Sequence, residues 1–490
     1  MPMRRFTLSG SVRGSLRESS LFYTLLALGI GVALVILPLP WAFILLTGCI
    51  LTIGVLLRPA LAYPLLALSI PFGSLREIPI GPAKVGITEL LLGLLAAVWL
   101  ARKVALRERW RGPGPLWGFF LIFYGVILFS TLQALSLGYA LKELIKWGEV
   151  FLLYLIVYTT LREGEIPWVI GGLLLAGAAE ALVGIYQFFT QTGPEHFIIL
   201  GRFMRAYGHF MQPNPFGGYM GLAMPLAAGW GIGWVMERLG QEENARAFAW
   251  LGWAMMGFIA AALTGAALVM SWSRGAWLGA AAALAVVGSL YSRRVAFASL
   301  AAVALLGTLI VLSGVGVVPA AVAQRFQDIP AFFGMVDVRT VEITDENYAL
   351  VERLAHWDAA IRMWSDHLWL GVGIGNYEPV YPAYALPRWP EPLGHSHNYY
   401  LNIAAEAGLV GLVSYLLLWG AIFFYTWRAI RRNRGWKRGL AVGIMGVFTH
   451  LSVHNLFDNL YVHGMYLHIA VLLGITGVLF FDDGSAVVEK

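Results

Sequence analysis

The sequence predicts an all-α polytopic membrane protein. Of its 490 residues, 59% are hydrophobic and only 13% are charged, which is about half the charged fraction of an ordinary soluble protein. Apolar runs longer than the roughly 18 residues that indicate a transmembrane helix recur from one end of the chain to the other. Because no stretch is left over for a separate soluble domain, one membrane-embedded unit is expected.

Apolar runs between polar breaks predict about 12 to 14 transmembrane helices by the length rule. They group into N-terminal transmembrane helices over residues 1–318 and C-terminal transmembrane helices over residues 399–490. The arginine-rich N-terminus lacks a convincing cleavage site, so the first span is expected to be an uncleaved anchor. Lys and Arg concentrate in the short loops of one face, which predicts that both termini are cytoplasmic.

Residues 319–398 are predicted to form one long external, periplasmic loop subdomain that contains helices. The segment is too long for a connector and not apolar enough to span the membrane. Some of its apolar residues recur at alternating spacings of four and three, which is typical of one face of an amphipathic helix. These residues are Leu350, Leu354, Trp357, Ile361 and Trp364. The helix is expected to pack on the outer surface of the bundle.

Basic residues are scarce on the predicted outer face, and those present are clustered. The stretch RFMRAYGHFMQPNPF holds Arg202 and Arg205, SWSRGAWLG places Arg274 at the junction of two spans, and Lys146 lies near the outer start of another span. An arginine that faces hydrocarbon costs a few kcal/mol, so these cations are expected to face a cavity or an anion. Guanidinium binds phosphate oxygens bidentately, which favours a diphosphate or polyanionic ligand. For any single arginine, a side chain that reaches lipid headgroups is the alternative.

A histidine pair stands immediately before the span that follows the long loop, in the stretch GHSHNYYLNIAAEAGLVG. His397 and Asn398 lie where that helix should begin, and a helix N-terminus disfavours the cationic form of histidine. His397 is therefore a candidate general base, and from position alone it could equally cap the helix. His395 is expected to be an ordinary loop residue. The stretch HNLFDN places His454 and Asp458 at the outer end of a later span, where they either close the site or cap a helix.

Metal, nucleotide and disulfide chemistry are not predicted. The external histidines and acids lack ligand-like local spacing, and no DxD-type acidic pair accompanies the external cations. The only cysteine, Cys49, lies inside an apolar run, so it cannot contribute to a disulfide framework or to a Cys-based metal site. The GVGIGNY stretch has the glycines of a dinucleotide fingerprint, but it follows an amphipathic helix instead of a strand. No cofactor and no nucleic-acid partner are expected.

From residue 201 to residue 459 the sequence resembles the O-antigen ligase and O-antigen polymerase superfamily. The ligase signature is His, then Asn, Ser or Gln, nine residues, Gly, two residues, and Gly, Thr or Tyr. His397, Asn398, Gly408 and Gly411 match it without a gap. The stretches RAYGHFMQPNPFG, SWSRGAWLG, RLAHWDAAIRMWSDHLWLGVGIGNY and HNLFD are similar to family segments and occur in the same order.

The resemblance implies a GT-C-like integral glycosyltransferase of the bacterial cytoplasmic membrane. Such an enzyme moves a glycan from undecaprenyl diphosphate to an acceptor hydroxyl on the outer face, without metal or nucleotide, and direct attack inverts the anomeric carbon. His397 would then be the base for the acceptor, while Arg205 and Arg274 would bind the diphosphate and stabilise it as leaving group. The remaining candidates are Arg202 and Lys146 for diphosphate binding, and Asn398, His454 and Asp458 as supporting residues.

Several functions remain open within and outside this superfamily. An O-antigen ligase acting on lipid A core is favoured over a polysaccharide-repeat polymerase, because the histidine signature has the ligase form. A protein O-oligosaccharyltransferase would use a Ser or Thr hydroxyl as acceptor. A lipid-linked glycan transporter should carry its polar residues near the midplane in broken helices, whereas here they gather at the outer face. The expected partners are the lipid-linked donor, a lipid or glycan acceptor and membrane lipids.

Overall fold

The computed structural model describes most of the chain between residues 35 and 481. The gaps in that range are residues 76–77, 81–82, 106–111, 200, 240–248, 315–336 and 345–346, and residues 24, 27–29 and 31–33 are described in addition. The described chain is helical almost throughout, which confirms the predicted all-α polytopic class. The predicted first span falls mainly outside the described residues.

The helices follow one another with short connections. They are α1 (Leu39–Leu57), α2 (Ala62–Ser69), α3 (Ile87–Ala105), α4 (Trp117–Ser130), α5 (Leu137–Thr160), α6 (Ile166–Thr190), α7 (Pro213–Leu239), α8 (Ala249–Met270), α9 (Arg274–Tyr291), α10 (Arg293–Gly314), α11 (Tyr348–Asp366), α12 (Tyr377–Val380), α13 (Tyr399–Arg432), α14 (Gly435–His454) and α15 (Met465–Phe481). Two short antiparallel hairpins accompany them, β1 (Ile78–Ile80) with β2 (Ala83–Val85) and β3 (Ile198–Ile199) with β4 (Phe203–Met204).

Several helices can cross a membrane. Those in the described residues that meet criteria of length and composition are Leu39–Leu57, Glu163–Thr190, Ala249–Met270, Arg274–Tyr291 and Tyr399–Arg432. Shorter apolar helical stretches are Pro59–Gly73, Trp117–Gln133 and Met465–Phe481. The protein is therefore multi-pass, and the larger total of about 12 to 14 spans stays a prediction, since it includes more polar helices.

The chain divides into two compact units, Met1–Leu61 and Ala62–Lys490. The first contains α1 and a 3-10 turn at Pro59–Leu61. The second contains all the other elements, and the candidate site residues all belong to it.

Glycines hold α7 and α14 in close contact at the centre of the second unit. A Cβ atom on Gly229 would lie 2.5 Å from Cα of Gly443, and one on Gly233 would lie 2.8 Å from Cα of Gly439. Each helix thus presents two glycines four residues apart to the other, a spacing that lets transmembrane helices approach at backbone distance. The close contact fixes the register of the two helices, which both end at the candidate site.

The predicted amphipathic helix of the long loop is present as α11, which packs against α13. Its packing face is turned relative to the prediction, because Ala359, Ala360 and Met363 are fully buried while Ile361 is 46% exposed. Small side chains allow the two helices to approach closely, which the large residues at the predicted spacing would prevent. Leu350 and Leu354 are buried as predicted. The external position of residues 319–398 stays a prediction.

Helix α13 is broken at Gly408, one of the two glycines of the ligase-like signature. Gly408 has φ 68° and ψ −167°, and a Cβ atom there would collide with the backbone of Trp369. The segment that follows α11 supplies partners to the interrupted helix, since Leu409 N donates to Leu368 O at 2.8 Å and Val410 N to Trp369 O at 3.4 Å. The external segment is therefore joined to α13 by backbone hydrogen bonds.

Candidate functional site

A cavity of about 870 Å³ lies between the first residues of α7 and α9, helix α11, the segment before α13 and the C-terminal end of α14. We call it the site cavity. Its charged and imidazole side chains are Arg205, Arg274, Glu352, Arg353, His395, His397, His454, Asp458 and His463. Five of the residues predicted from sequence thus meet in one place, namely Arg205, Arg274, His397, His454 and Asp458.

Arg205 follows the β3–β4 hairpin and is held by hydrogen bonds. Its Nε donates to Ser271 O at 2.9 Å, and its Nη2 donates to Asn214 Oδ1 at 3.0 Å. Burial lowers the pKa of Arg205 to about 10, and the neighbouring cations Arg353 and Arg274 add to this effect. The guanidinium remains charged at neutral pH, so an anion bound beside it would relieve the repulsion among the three arginines.

Arg274 begins α9, and a tight turn directs it to the cavity. Trp272 in that turn has φ 51°, which a bulky residue rarely adopts. Ser273 N donates to Ser271 Oγ at 3.2 Å, and Ser271 O is the acceptor for Arg205. The SWSRG stretch therefore positions both arginines at once.

Arg353 was not among the residues predicted from sequence. It lies on α11 between buried Val351 and Leu354, and it lines the site cavity. Burial lowers its pKa, Asp458 opposes that shift and Arg274 reinforces it. A useful signal was present, because an arginine beside the apolar face of an amphipathic helix must find a polar partner.

The structure separates the two readings of the His397–Asn398 pair. Asn398 is the helix cap, since its Oδ1 accepts from Tyr400 N and Leu401 N, both at 3.1 Å. His397 has φ 54°, which turns its ring away from the helix and into the site cavity. Its Nδ1 lies 3.8 Å from Asp458 Oδ1. The cap interpretation of His397 is therefore wrong, and its role as a base stays a prediction.

Asp458 is the acidic centre of a group of histidines. Burial by itself would raise the pKa of this carboxyl, but the neighbouring His397, His395 and His454 hold it below its usual range. The carboxylate is therefore ionised at every physiological pH. An ionised acceptor beside His397 Nδ1 favours the tautomer with its proton on Nδ1, which leaves Nε2 able to accept a proton.

His395 lies in the site cavity, in contrast to the ordinary loop position expected from sequence. Its Nδ1 accepts from the backbone N–H of His397 at 3.0 Å, so the neutral ring carries its proton on Nε2, which lies 3.7 Å from Asp458 Oδ1. Burial and the neighbouring His397 lower the pKa of His395 to about 4. His395 is thus a neutral donor facing Asp458.

The potential ligand atoms of His395, His397 and Asp458 lie within 4.8 Å of one another. Local spacing could not reveal this group, because Asp458 arrives from the end of another helix. The donor set nevertheless suits a metal ion poorly, since Nε2 of His395 would have to lose its proton and Arg353 is an electrostatic neighbour of Asp458. The arrangement is better matched to a hydrogen-bonded network.

Two predicted diphosphate ligands do not line the site cavity. Arg202 lies in the β3–β4 turn with its guanidinium 4.6 Å from the centre of the Phe203 ring. Lys146 lies one turn after Glu143 on α5, and its Nζ is 2.6 Å from Glu143 Oε1. Intrahelical pairs at this spacing are favourable, which accounts for the position of the lysine.

The buried histidines of the external segment should make stability depend on pH. Burial lowers the pKa of His356 to about 3, where its Nδ1 lies 2.9 Å from Tyr377 Oη, and His395 behaves similarly. The unfolded chain then binds protons that the folded chain does not, so stability should fall as the pH drops from about 6.5 to about 4. Thermal unfolding across this range measures the effect, and the combined variant His356→Gln and His395→Gln should flatten it. An equally steep profile in that variant would assign the dependence to other groups.

Comparison with known families places the site within a recognised domain. Residues 259–416 match the family model for O-antigen ligases. The match contains Arg274, Arg353, His397 and Gly408, and it confirms the resemblance to the O-antigen ligase superfamily. No curated protein matches the chain. The matched family supports a membrane enzyme that transfers glycans, of the ligase or polymerase kind.

Proposed function

Because residues 259–416 match the O-antigen ligase family, we propose that this protein is an integral membrane glycosyltransferase with an undecaprenyl-diphosphate-linked donor. It transfers the glycan to an acceptor hydroxyl on the outer face of the bacterial cytoplasmic membrane, as a ligase acting on lipid A core. The observation that carries the proposal is the meeting of three arginines with a histidine–aspartate pair in one cavity.

The three arginines supply the donor site. Arg205, Arg274 and Arg353 face the same space from three different elements, so a diphosphate can be bound from several sides. Guanidinium groups match phosphate oxygens in pairs, and their fixed charges stabilise the negative charge that develops as the diphosphate leaves. Arg353 replaces Arg202 and Lys146 in this role, because those two do not line the cavity.

The His397–Asp458 pair supplies the base. Asp458 orients Nδ1–H of His397, so that Nε2 takes the proton from the acceptor hydroxyl as its oxygen attacks the anomeric carbon. The bond between that carbon and the diphosphate oxygen breaks, and the electron pair leaves with the diphosphate. A single displacement of this kind inverts the anomeric configuration. Charge stabilisation comes from arginines, so the reaction proceeds without a metal ion.

The deciding experiment supplies purified protein with undecaprenyl-diphosphate glycan, a chelator and no nucleotide. Lipid A core, a second lipid-linked repeat and a Ser/Thr peptide are offered as separate acceptors. A product on lipid A core supports the ligase, whereas products on the repeat or the peptide identify a polymerase or a protein oligosaccharyltransferase. Movement of donor across vesicles without any covalent product would instead indicate a transporter.

The site is proposed to face outward, and this orientation is testable in cells. Thr340→Cys should react with a membrane-impermeant maleimide in intact cells, because residues 319–398 are placed outside. Arg434→Cys should be protected until the membrane is permeabilised, since the basic loops mark the cytoplasmic face. Labelling is read by mass spectrometry in a Cys49→Ser background. The reverse pattern would invert the topology and place the site cavity on the cytoplasmic side.

A further inference from the structure

A second cavity, of about 670 Å³, lies at the opposite end of α13 and α14 from the site cavity. Helix α14 runs 20 residues from Gly435 to His454, which is about 30 Å. Gly435 lines the second cavity, and His454 lines the site cavity. The two cavities therefore face opposite surfaces of the helix bundle, and the second lies on the predicted cytoplasmic side. We call it the arginine cavity.

The arginine cavity is strongly cationic. Its charged lining residues are Arg293, Arg431, Arg434 and Arg438, and no carboxylate is among its lining residues. Within the part of the chain that the structure describes, none of these four forms an ion pair. Arg438 is held in place, because its Nη2 donates to Leu290 O at 3.3 Å and its guanidinium lies 5.8 Å from the centre of the Tyr291 ring.

Backbone dipoles add to this charge. Helix α10 begins at Arg293 and α14 begins at Gly435, and both residues line the arginine cavity. A helix N-terminus carries a partial positive charge and free N–H groups. Two N-termini and four guanidinium groups around one cavity would repel one another unless an anion lay between them.

Aromatic residues indicate the depth of the arginine cavity in the membrane. Trp427 lines it and is 43% exposed, while Phe424, one turn further along α13, is 51% exposed. The Arg431 guanidinium lies 5.9 Å from the centre of the Trp427 ring. Exposed tryptophans beside cations are typical of the membrane–water interface, so the mouth of the cavity lies at the level of lipid headgroups.

We propose that the arginine cavity binds the phosphodiester headgroup of an anionic glycerophospholipid. The guanidinium groups bind the phosphate oxygens, and the acyl chains continue along Trp427 and Phe424 into the bilayer. Basic pockets between transmembrane helices on the cytoplasmic side are suited to such headgroups. The lipid ties the ends of α9, α13 and α14 together, and this role is independent of the glycan transfer proposed above.

The test compares lipid dependence in matched variants. Purified protein is placed in phosphatidylcholine nanodiscs with increasing phosphatidylglycerol, and the melting temperature is recorded. The double variant Arg293→Ala with Arg434→Ala should need roughly 25-fold more phosphatidylglycerol for half of the stabilisation, about fivefold for each arginine. Arg294→Ala with Arg428→Ala is the control, because these exposed neighbours do not line the arginine cavity. It should behave as the wild type does.

Three outcomes would overturn the proposal. The first is the same phosphatidylglycerol dependence in the double variant as in the wild type. The second is equal stabilisation by inorganic phosphate, which would make the ligand a soluble anion. The third is an effect of Glu242→Gln with Glu243→Gln equal to that of the arginine replacements in pure phosphatidylcholine, which would make the connection between α7 and α8 the occupant. Native mass spectrometry of the wild type, which should retain phosphatidylglycerol over phosphatidylcholine, decides the matter if the double variant does not fold.

Discussion

Replacing Arg205 or Arg274 with alanine should abolish most glycan transfer while the protein remains folded. Each removes a partly buried cation that we assign to the diphosphate, and truncation of such a charge pair costs about 2 to 5 kcal/mol, or roughly 30-fold to several thousand-fold in rate. Arg353→Ala should have an effect of the same size. Lysine should restore activity only in part, because a point charge cannot reproduce the bidentate contact of guanidinium.

Arg202→Ala is the matched control for this series. It removes an arginine three positions from Arg205, whose guanidinium packs on Phe203 outside the site cavity. Transfer rate and donor binding should both remain near the wild-type values. If the Arg205 and Arg274 variants are fully active, or if Arg202→Ala is as damaged as they are, the donor site has been placed wrongly.

His397→Ala should lose transfer by about 10²- to 10⁴-fold, the usual contribution of a general base. Binding of the lipid diphosphate should survive, because the arginines bind the donor. Asp458→Asn should also slow transfer without loss of donor binding, since it removes the charge that orients His397 Nδ1–H. Turnover and donor binding are measured on the same preparations.

His395→Ala provides the contrast within the same segment. It removes a neutral donor to Asp458 and an acceptor for the His397 backbone, so a smaller loss is expected than for His397→Ala. Normal turnover in His397→Ala would refute the base. Loss of donor binding as complete as in the arginine variants would instead make His397 a diphosphate ligand.

Much of this site was predictable because its residues carry strong local signals. Arg205 and Arg274 stand out as cations in short outer connections of an apolar chain, and His397 stands out immediately before a long span. Asn398 was correctly paired with His397, but only the backbone geometry shows which of the two caps α13. The helix limits follow apolar run lengths for the same reason, since the bilayer imposes them locally.

The remainder depends on contacts between distant segments. Arg353 was missed because α11 was judged on its apolar spacing, and the close approach of α13 selects Ala359 and Ala360 for the packing face instead. Lys146 was assigned to the diphosphate without its intrahelical partner Glu143. The position of His395 follows from Asp458, which comes from beyond α14, so no reading of the loop alone could place it.

The break at Gly408 limits how such proteins can be recombined. Leu409 and Val410 obtain their backbone partners from Leu368 and Trp369, inside the part of the protein where an orphaned amide costs several kcal/mol. A chimaera that exchanges the external segment but keeps the native α13 would have to rebuild this junction residue by residue. The natural unit of exchange therefore runs from α11 through Val410, and acceptor specificity can be transplanted only with the first turns of the following membrane helix.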